Sequence, residues 1–316
     1  MAETELQHTR HEISIDAPAE TVYRVIADAT AWPQHLAPTI HVERTGLPAG
    51  EERLRIWADA NGEVKNWTSR RVLHPHEHRI EFRQEVSTAP VASMAGEWTV
   101  RPVSGGCVLA LTHEFTAVDA AGLDWVASAT DRNSHKELAN IKALAENWDH
   151  AGELLFSFED SVTMDCRAED VYAFLDRADR WPALLPHVAR LDLREDVEHI
   201  QRMTMDTTAK DGSVHTTESV RVCFPDAHRI VYKQLVPPSL MAVHTGEWTV
   251  RELGGGRVLV TSRHVVAVNE AAVERVLGAG RTVADARKFI TEAAGGNSLA
   301  TLTLAKRHLE AATDKV

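Results

Sequence analysis

Trp67, Ser69 and Arg71 stand two residues apart in Val64-Lys65-Asn66-Trp67-Thr68-Ser69-Arg70-Arg71-Val72. The segment alternates as a β-strand does, so these three side chains share one face, with Asn66, Thr68 and Arg70 on the other. Turned inward, the first face sets an aromatic plate, a hydroxyl and a guanidinium in a row along a cavity wall. A buried arginine without a carboxylate partner is costly, so an arginine in that position is expected to be kept for a ligand. Turned outward, the same face is solvated and Trp67 belongs to an interface; the alternation leaves both open. Thr217, Ser219 and Arg221 occupy the same places in a second stretch of chain, with only the tryptophan replaced. Trp98 and Trp248 lie mid-strand and read either as core packing or as further cavity wall.

Other chemistries have less support. His74-Pro75-His76-Glu77-His78 is rich in metal-ligand types, but side chains on a proline-containing turn rarely converge. No H-E-x-x-H or paired C-x-x-C accompanies it. A nucleophilic serine would want a G-x-S-x-G elbow, which is missing. No glycine-rich loop leads from a strand into a helix as dinucleotide binding requires; Gly254-Gly255-Gly256 reads as a hairpin turn.

The elements that must position these residues come in two sets. Gly96-Glu97-Trp98-Thr99-Val100-Arg101 recurs letter for letter at Gly246 to Arg251. A period of 150 residues is the size of a domain, so the chain reads as two tandem copies, 1–150 and 151–316, joined near His150-Ala151-Gly152. Each copy opens with a strand, His11 to Asp16 in the first and Ser157 to Met164 in the second. A helix follows. Val22, Val25, Ile26 and Ala29 fall on one of its faces, and Val171, Phe174, Leu175 and Ala178 repeat them. Asp16 is the expected N-cap. Trp32-Pro33 and Trp181-Pro182 are expected to end the helices, with a short second helix over Gln34 to Leu36. Five or six antiparallel strands come next, turning at Asn61-Gly62, at His74 to His78 and at Ser104-Gly105-Gly106. Asp211-Gly212 matches the first of these turns in the second copy. A long helix closes each copy, with Leu138, Ile141, Leu144, Ala145 and Trp148 on one face and Leu299, Leu302, Ala305 and Leu309 on its counterpart. Strand, helix, strands, helix is an α+β order. A long antiparallel sheet twists and curls, and a helix lying in the curl would enclose an elongated ligand cavity.

Bulk properties narrow the function classes. The 316 residues carry a formal charge of −12, with 44% apolar and 25% charged residues. No basic stripe suits nucleic acid, and no apolar run reaches the length of a membrane span. The polar, acidic N-terminus does not resemble a signal peptide. Three separated cysteines, Cys107, Cys166 and Cys223, suit reduced thiols in a cytoplasm better than a disulfide frame.

The residue order Asp-Ala-Pro-Ala-Glu-x-Val-Tyr, Ala-Trp-Pro, Asn-Gly-x-Val-x-x-Trp-x-Ser-x-Arg, then Trp98-Thr99 and a C-terminal helix resembles the aromatase/cyclases of bacterial type II polyketide synthases. The resemblance covers both halves. It implies tandem helix-grip (START-like) domains and an enzyme that needs no metal or organic cofactor. Such an enzyme takes a poly-β-ketone on an acyl carrier protein, closes the first ring by an intramolecular aldol reaction and promotes dehydration to an aromatic ring. Tandem members imply closure between C7 and C12. Carried over by position, Arg71 and Ser69, with Arg221 and Ser219, would be catalytic, the arginine stabilising the enolate oxygen. Trp67, Trp98 and Trp248 would line the pockets. His35 and Asn133 are the candidates for further polar contact and proton removal. Lys65 stands where some relatives have a second tryptophan. The first copy is the better-equipped pocket, because it keeps Trp67. The implied partners are the carrier protein and other synthase subunits, with no nucleic acid or membrane. An acidic carrier would need a local basic patch, either Arg281, Arg287 and Lys288 or Arg70 with Arg79. The alternative from another class is a non-catalytic binding protein for an apolar or aromatic small molecule.

Overall fold

The structure is a computed structural model describing residues 5–60, 62–208 and 212–313. It separates into two compact units, Met1–Ala151 and Gly152–Val316. Each unit holds one seven-stranded antiparallel sheet.

In the first unit β1 (Gln7–Ile15) leads into α1 (Ala19–Ala27) and a four-residue helix α2 (Trp32–His35). Strands β2 (Thr39–Gly46), β3 (Glu51–Ala60), β4 (Glu63–His74), β5 (Arg79–Val86), β6 (Val91–Val103) and β7 (Gly106–Ala117) then form a meander, and β1 closes onto β7. Helix α3 (Ala120–Glu146) packs on β1, β7 and α1. Its start follows from Asp119, whose carboxylate accepts from the Gly122 N–H at 2.8 Å as an N-cap does. The join is a further helix, α4 (Trp148–Leu154).

The second unit repeats the plan: β8 (Leu155–Met164), α5 (Ala168–Asp176), α6 (Trp181–Leu184), β9 (Val188–Val197), β10 (Ile200–Thr208), β11 (Val214–Phe224), β12 (Arg229–Val236), β13 (Met241–Gly254) and β14 (Arg257–Val268). Here the closing helix is interrupted. Short helices α7 (Val273–Leu277) and α8 (Val283–Ile290) precede a π-helical turn at Thr291–Gly295, and α9 (Gly296–Thr313) follows.

Register puts the repeated motif in the core. Trp98 faces Ile80 on one side and Leu111 on the other, 5% exposed. Trp248 faces Ile230 and Ser262 in the same way. The glycine of the motif is sterically required. A Cβ at Gly96 would lie 2.0 Å from the Thr112 carbonyl oxygen and 2.5 Å from the Phe82 ring, and one at Gly246 would meet the Arg263 carbonyl and the Tyr232 hydroxyl at 2.5 Å. The bare backbone lets an aromatic ring from the neighbouring strand lie across it.

Each long helix is tied to the opening corner of its sheet. Glu146 accepts from the Asp16 N–H at 2.8 Å while Lys142 donates to the Ser14 carbonyl. Glu310 and Lys306 do the same with Asp165 and Thr163. Asp16 therefore does not cap α1, contrary to expectation; Pro18 holds the cap position without a side-chain bond. Trp32-Pro33 does not end a helix either. It begins α2, because proline lacks an N–H that the first turn would leave unpaired. Leu299 is 42% exposed, so the buried stripe of α9 runs through Ser298, Leu302 and Ala305 instead. Asn61 and Asp211 of the two expected turns lie outside the described residues.

Candidate active site

In β4, Ser69 and Arg71 are buried and Arg70 is exposed, so the Trp67-Ser69-Arg71 face looks inward. Trp67 is half-buried against the core. The arginine, however, is not left for a ligand. Register sets Glu52 of β3 opposite Arg71. The Arg71 Nε donates to the Glu52 carboxylate at 2.8 Å, and its terminal nitrogens donate to the carbonyls of Ile26 at 2.8 Å and Ala27 at 2.7 Å. A further bond joins Nη2 to Glu52. The guanidinium also stands over the Trp32 ring, 5.2 Å from its centroid, and the Trp32 indole donates to the Val25 carbonyl. The last carbonyls of a helix have no intrahelical partner, and here Trp32 and Arg71 supply three of them. The positive charge also suits the negative end of the helix.

The second unit builds the same cap with one change. Arg221 is buried, donates to the Leu175 carbonyl at 2.5 Å and stands over Trp181. Trp181 donates to the Phe174 carbonyl. Gln201, opposite Arg221 in the register, replaces the glutamate and donates to Asp176 and Glu195. Burial lowers the Arg221 pKa, and Asp176 and Glu195 oppose that from a distance.

The remaining expected residues divide. Ser69 donates to the Arg83 carbonyl at 3.2 Å, and Ser219 is buried with an unpartnered Oγ. Trp98 and Trp248 belong to the hydrophobic cores. His35 lies half-buried with its ring 5.9 Å from that of Trp148. Asn133 is exposed on α3 and does not reach the interior, because the buried stripe of that helix passes through Thr130, Ser134, Leu138 and Ile141. Of the expected basic patches, Arg70 is paired with Glu51, and Arg79 with Glu77, Glu81 and Glu97. Arg287 donates to backbone carbonyls of Glu153 and Leu155 and lies over Phe156. Arg281 pairs with Asp285 at 3.4 Å. The histidine turn disperses: His74 lies 3.2 Å from Glu81 and His78 3.0 Å from Glu20.

Two inward groups had not been singled out. Glu137 sits in the middle of the α3 stripe, 40° round the helix from Ile141, and keeps partial solvent access. Its carboxylate has no ion pair or hydrogen bond among the described residues. Burial raises its pKa to about 7. His113 of β7, over which α3 packs, has a buried Nδ1 without a partner and a ring edge-on to Phe82 at 5.6 Å. Burial lowers its pKa to about 4, with His11 adding to the effect, so it is neutral at pH 7. Trp67, Phe82, Gln84, Met94, His113 and Glu137 are all inward-facing yet partly solvent-accessible.

The second unit fills the matching space with bonds. Tyr232, His244 and His264 take the places of Phe82, Met94 and His113 in the register. His264 Nε2 lies 2.9 Å from the Ser298 hydroxyl and 3.2 Å from the Ser262 hydroxyl. Its Nδ1 faces His244 Nε2 at 2.9 Å and the Tyr232 hydroxyl at 3.0 Å, and His244 Nδ1 faces the Gln234 carbonyl oxygen at 2.7 Å. One set of tautomers satisfies this chain with every group neutral: the Nδ1 of each imidazole donates and its Nε2 accepts. Burial lowers the pKa of His244 to about 3 and of His264 to about 4. The counterpart of Glu137 is Thr301, which hydrogen-bonds within its own helix. Outside this network, a groove of about 760 Å³ is lined by residues including Arg167, Phe174, Arg177, Arg180 and His308.

Comparison with known proteins places this architecture. The family model described as polyketide cyclase/dehydrase and lipid transport matches residues 7–146 and again 156–302. The actinorhodin polyketide synthase bifunctional cyclase/dehydratase of Streptomyces coelicolor is 46% identical, over 96% of this chain and 95% of its own. The crystal structure of BexL, a di-domain aromatase/cyclase of the BE-7585A biosynthetic pathway, superposes with a TM-score of 0.86 at 50% identity, covering 96% of this chain and 99% of that one. StfQ, the di-domain aromatase/cyclase of the steffimycin pathway, gives 0.85 at 33% identity, covering 97% and 99%. The two seven-stranded sheets with their long helices are thus tandem helix-grip domains. With both halves matched and the likeness running the length of the chain, the protein belongs to the polyketide cyclase/dehydrase and lipid-transport family.

Proposed function

We propose that this chain closes and aromatises the first ring of a poly-β-ketone carried on an acyl carrier protein, between C7 and C12, and that the first domain does the chemistry. The observation that carries the assignment to that domain is the contrast between the two inward histidines. His113 is neutral with its buried Nδ1 unpartnered, and it faces inward as does Glu137, whose carboxylate has no ion pair or hydrogen bond among the described residues, whereas His264 is locked among four neighbours.

Glu137, titrating near pH 7, supplies both protonation states at working pH. As carboxylate it takes a proton from the methylene between two ketones. The resulting enolate carbon attacks a second ketone, and the new alkoxide takes that proton back. Glu137 then removes the remaining proton on the α-carbon, and the hydroxyl leaves with a proton as water, so the carboxyl ends as it began. His113, held neutral, donates a hydrogen bond to the oxygen on which charge develops, a use of imidazole that a lowered pKa permits. Trp67 and Phe82 restrict how the chain folds, which supplies orientation. Arg71 and Ser69 act from behind this wall: Arg71 holds α1 and its positive charge in place, and Ser69 fixes β4 to β5. No step calls for a metal or organic cofactor. For the acidic carrier, the cations left exposed near the expected patch are Lys288 and Arg281. Lys288→Glu is expected to raise the apparent KM for carrier-bound substrate and leave a small thioester unaffected.

The test is the product profile of a reconstituted minimal polyketide synthase with its ketoreductase. Addition of the wild-type chain should shift products to one first-ring-aromatised compound. Glu137→Gln should abolish that shift and Tyr232→Phe should keep it. An unchanged profile with folded wild-type protein would favour the small-molecule binding reading.

A further inference from the structure

Among side chains given no role in the proposed chemistry, β1 and α3 bring together three metal-ligating groups. His11 Nε2 lies 2.9 Å from Asp131 Oδ1, and His135 Nδ1 lies 3.6 Å from the same oxygen. One donor atom from each residue falls within 4.8 Å of the others. Asp131 and His135 are one helical turn apart and so project from α3 side by side. The two imidazole rings meet edge to face at 4.8 Å.

We propose that His11, Asp131 and His135 bind one divalent transition-metal ion of the zinc class. Two imidazoles and a carboxylate are the donors zinc accepts, at about 2.0–2.2 Å, and a tetrahedral set at that radius separates ligand atoms by roughly 3.3 Å. The present spacings need only side-chain rotation to reach it. His11 is the fixed member: its side chain is 9% exposed and its Nδ1 is buried without a partner. Asp131 and His135 are solvent-exposed and free to close on the ion, and water completes an open fourth position. In the free protein the His135 Nδ1 bonds the Asp131 carbonyl at 2.9 Å, a contact within one helical turn that rotation of the ring exchanges for the metal. The second domain serves as an internal comparison. Asp160 takes the place of His11 and Gly295 that of Asp131, with Leu299 in place of His135, so one equivalent per chain is expected. A cation here would place positive charge beside His113, whose ring already senses His11.

Full-length protein stripped with EDTA would be titrated with Zn²⁺ by calorimetry and with Co²⁺ by visible absorption. The expected result is one saturable equivalent, d–d bands with Co²⁺, and a raised thermal midpoint with Zn²⁺. Asp131→Asn keeps the hydrogen bond to His11 but loses the anionic ligand, and His135→Ala removes an imidazole from an exposed position. Each is expected to weaken binding by about tenfold or more, while His76→Ala in the histidine-rich turn changes nothing. Absence of a saturable equivalent, or an affinity unmoved in both variants, overturns the site and leaves an ordinary His–Asp ion pair.

Discussion

Glu137→Gln is the sharpest test of the chemistry assigned to the first domain. The side chain keeps its size and can still hydrogen-bond, but it no longer exchanges a proton. Since Glu137 has no hydrogen-bond or ion-pair partner among the described residues, the fold should tolerate the change, with a thermal midpoint at or above that of the wild type. A positioned acid–base group contributes about 10²–10⁴ in rate, so ring closure and dehydration should fall by that factor while substrate affinity holds. The pH dependence is the finer measurement. With a pKa of about 7, the protonated fraction falls from about 0.9 at pH 6 to about 0.1 at pH 8. Enolate formation and dehydration both begin with Glu137 as the carboxylate, so the rate should rise about tenfold across that window whichever step limits. That rise must vanish in Glu137→Gln. A stopped-flow or discontinuous assay of aromatisation on a thioester substrate reads both quantities. A variant that keeps the wild-type rate, or keeps the pH limb near 7, would refute the assignment.

Other consequences concern stability. Glu52→Gln copies the second domain into the first and leaves Arg71 without its buried anion. The expected cost is about 2–4 kcal/mol, or roughly 4–15 °C in the first domain's calorimetric midpoint, and Arg71→Ala should cost at least as much; a change below about 0.5 kcal/mol would remove the helix-capping role. Gly96→Ala drives a Cβ into the Thr112 carbonyl and the Phe82 ring and should destabilise the first domain by about 3 kcal/mol or more, measured by urea midpoint. In the second domain His244 and His264 are neutral when folded, with pKa values of about 3 and about 4, below the 6.5 of an unfolded histidine. Between pH 6.5 and pH 4 the unfolded chain therefore binds more protons, so stability is full above pH 6.5 and falls on acidification. The slope is about 1.4 kcal/mol per pH unit for each histidine. Denaturation curves of His244→Met, the first domain's residue at that place, should show a shallower decline over this window; an equal slope would contradict the network.

The sequence by itself determined the duplication, the order of strands and helices, and which side chains of β4 share a face. These follow from local rules, since an identical six-residue motif sets the period and alternation of two or 3.6 sets each element's face. It also pointed to the family, because the order of short motifs is a property of the chain alone. Only the tertiary structure decided what those residues do. Whether Arg71 is free depends on which residue faces it across the β3–β4 ladder and on where α1 ends, neither of which spacing along β4 contains. The answer, Glu52 with the Ile26 and Ala27 carbonyls, turned an expected ligand group into a helix cap. Asn133 failed for a related reason, since the phase of a 27-residue helix against its sheet is fixed by packing, and a shift of four residues moved the polar group from Asn133 to Glu137. The contrast between His113 and His264 was likewise hidden. The groups that lock His264 come from strands and a helix up to 34 residues away in sequence, and a partner that distant is chosen by the fold.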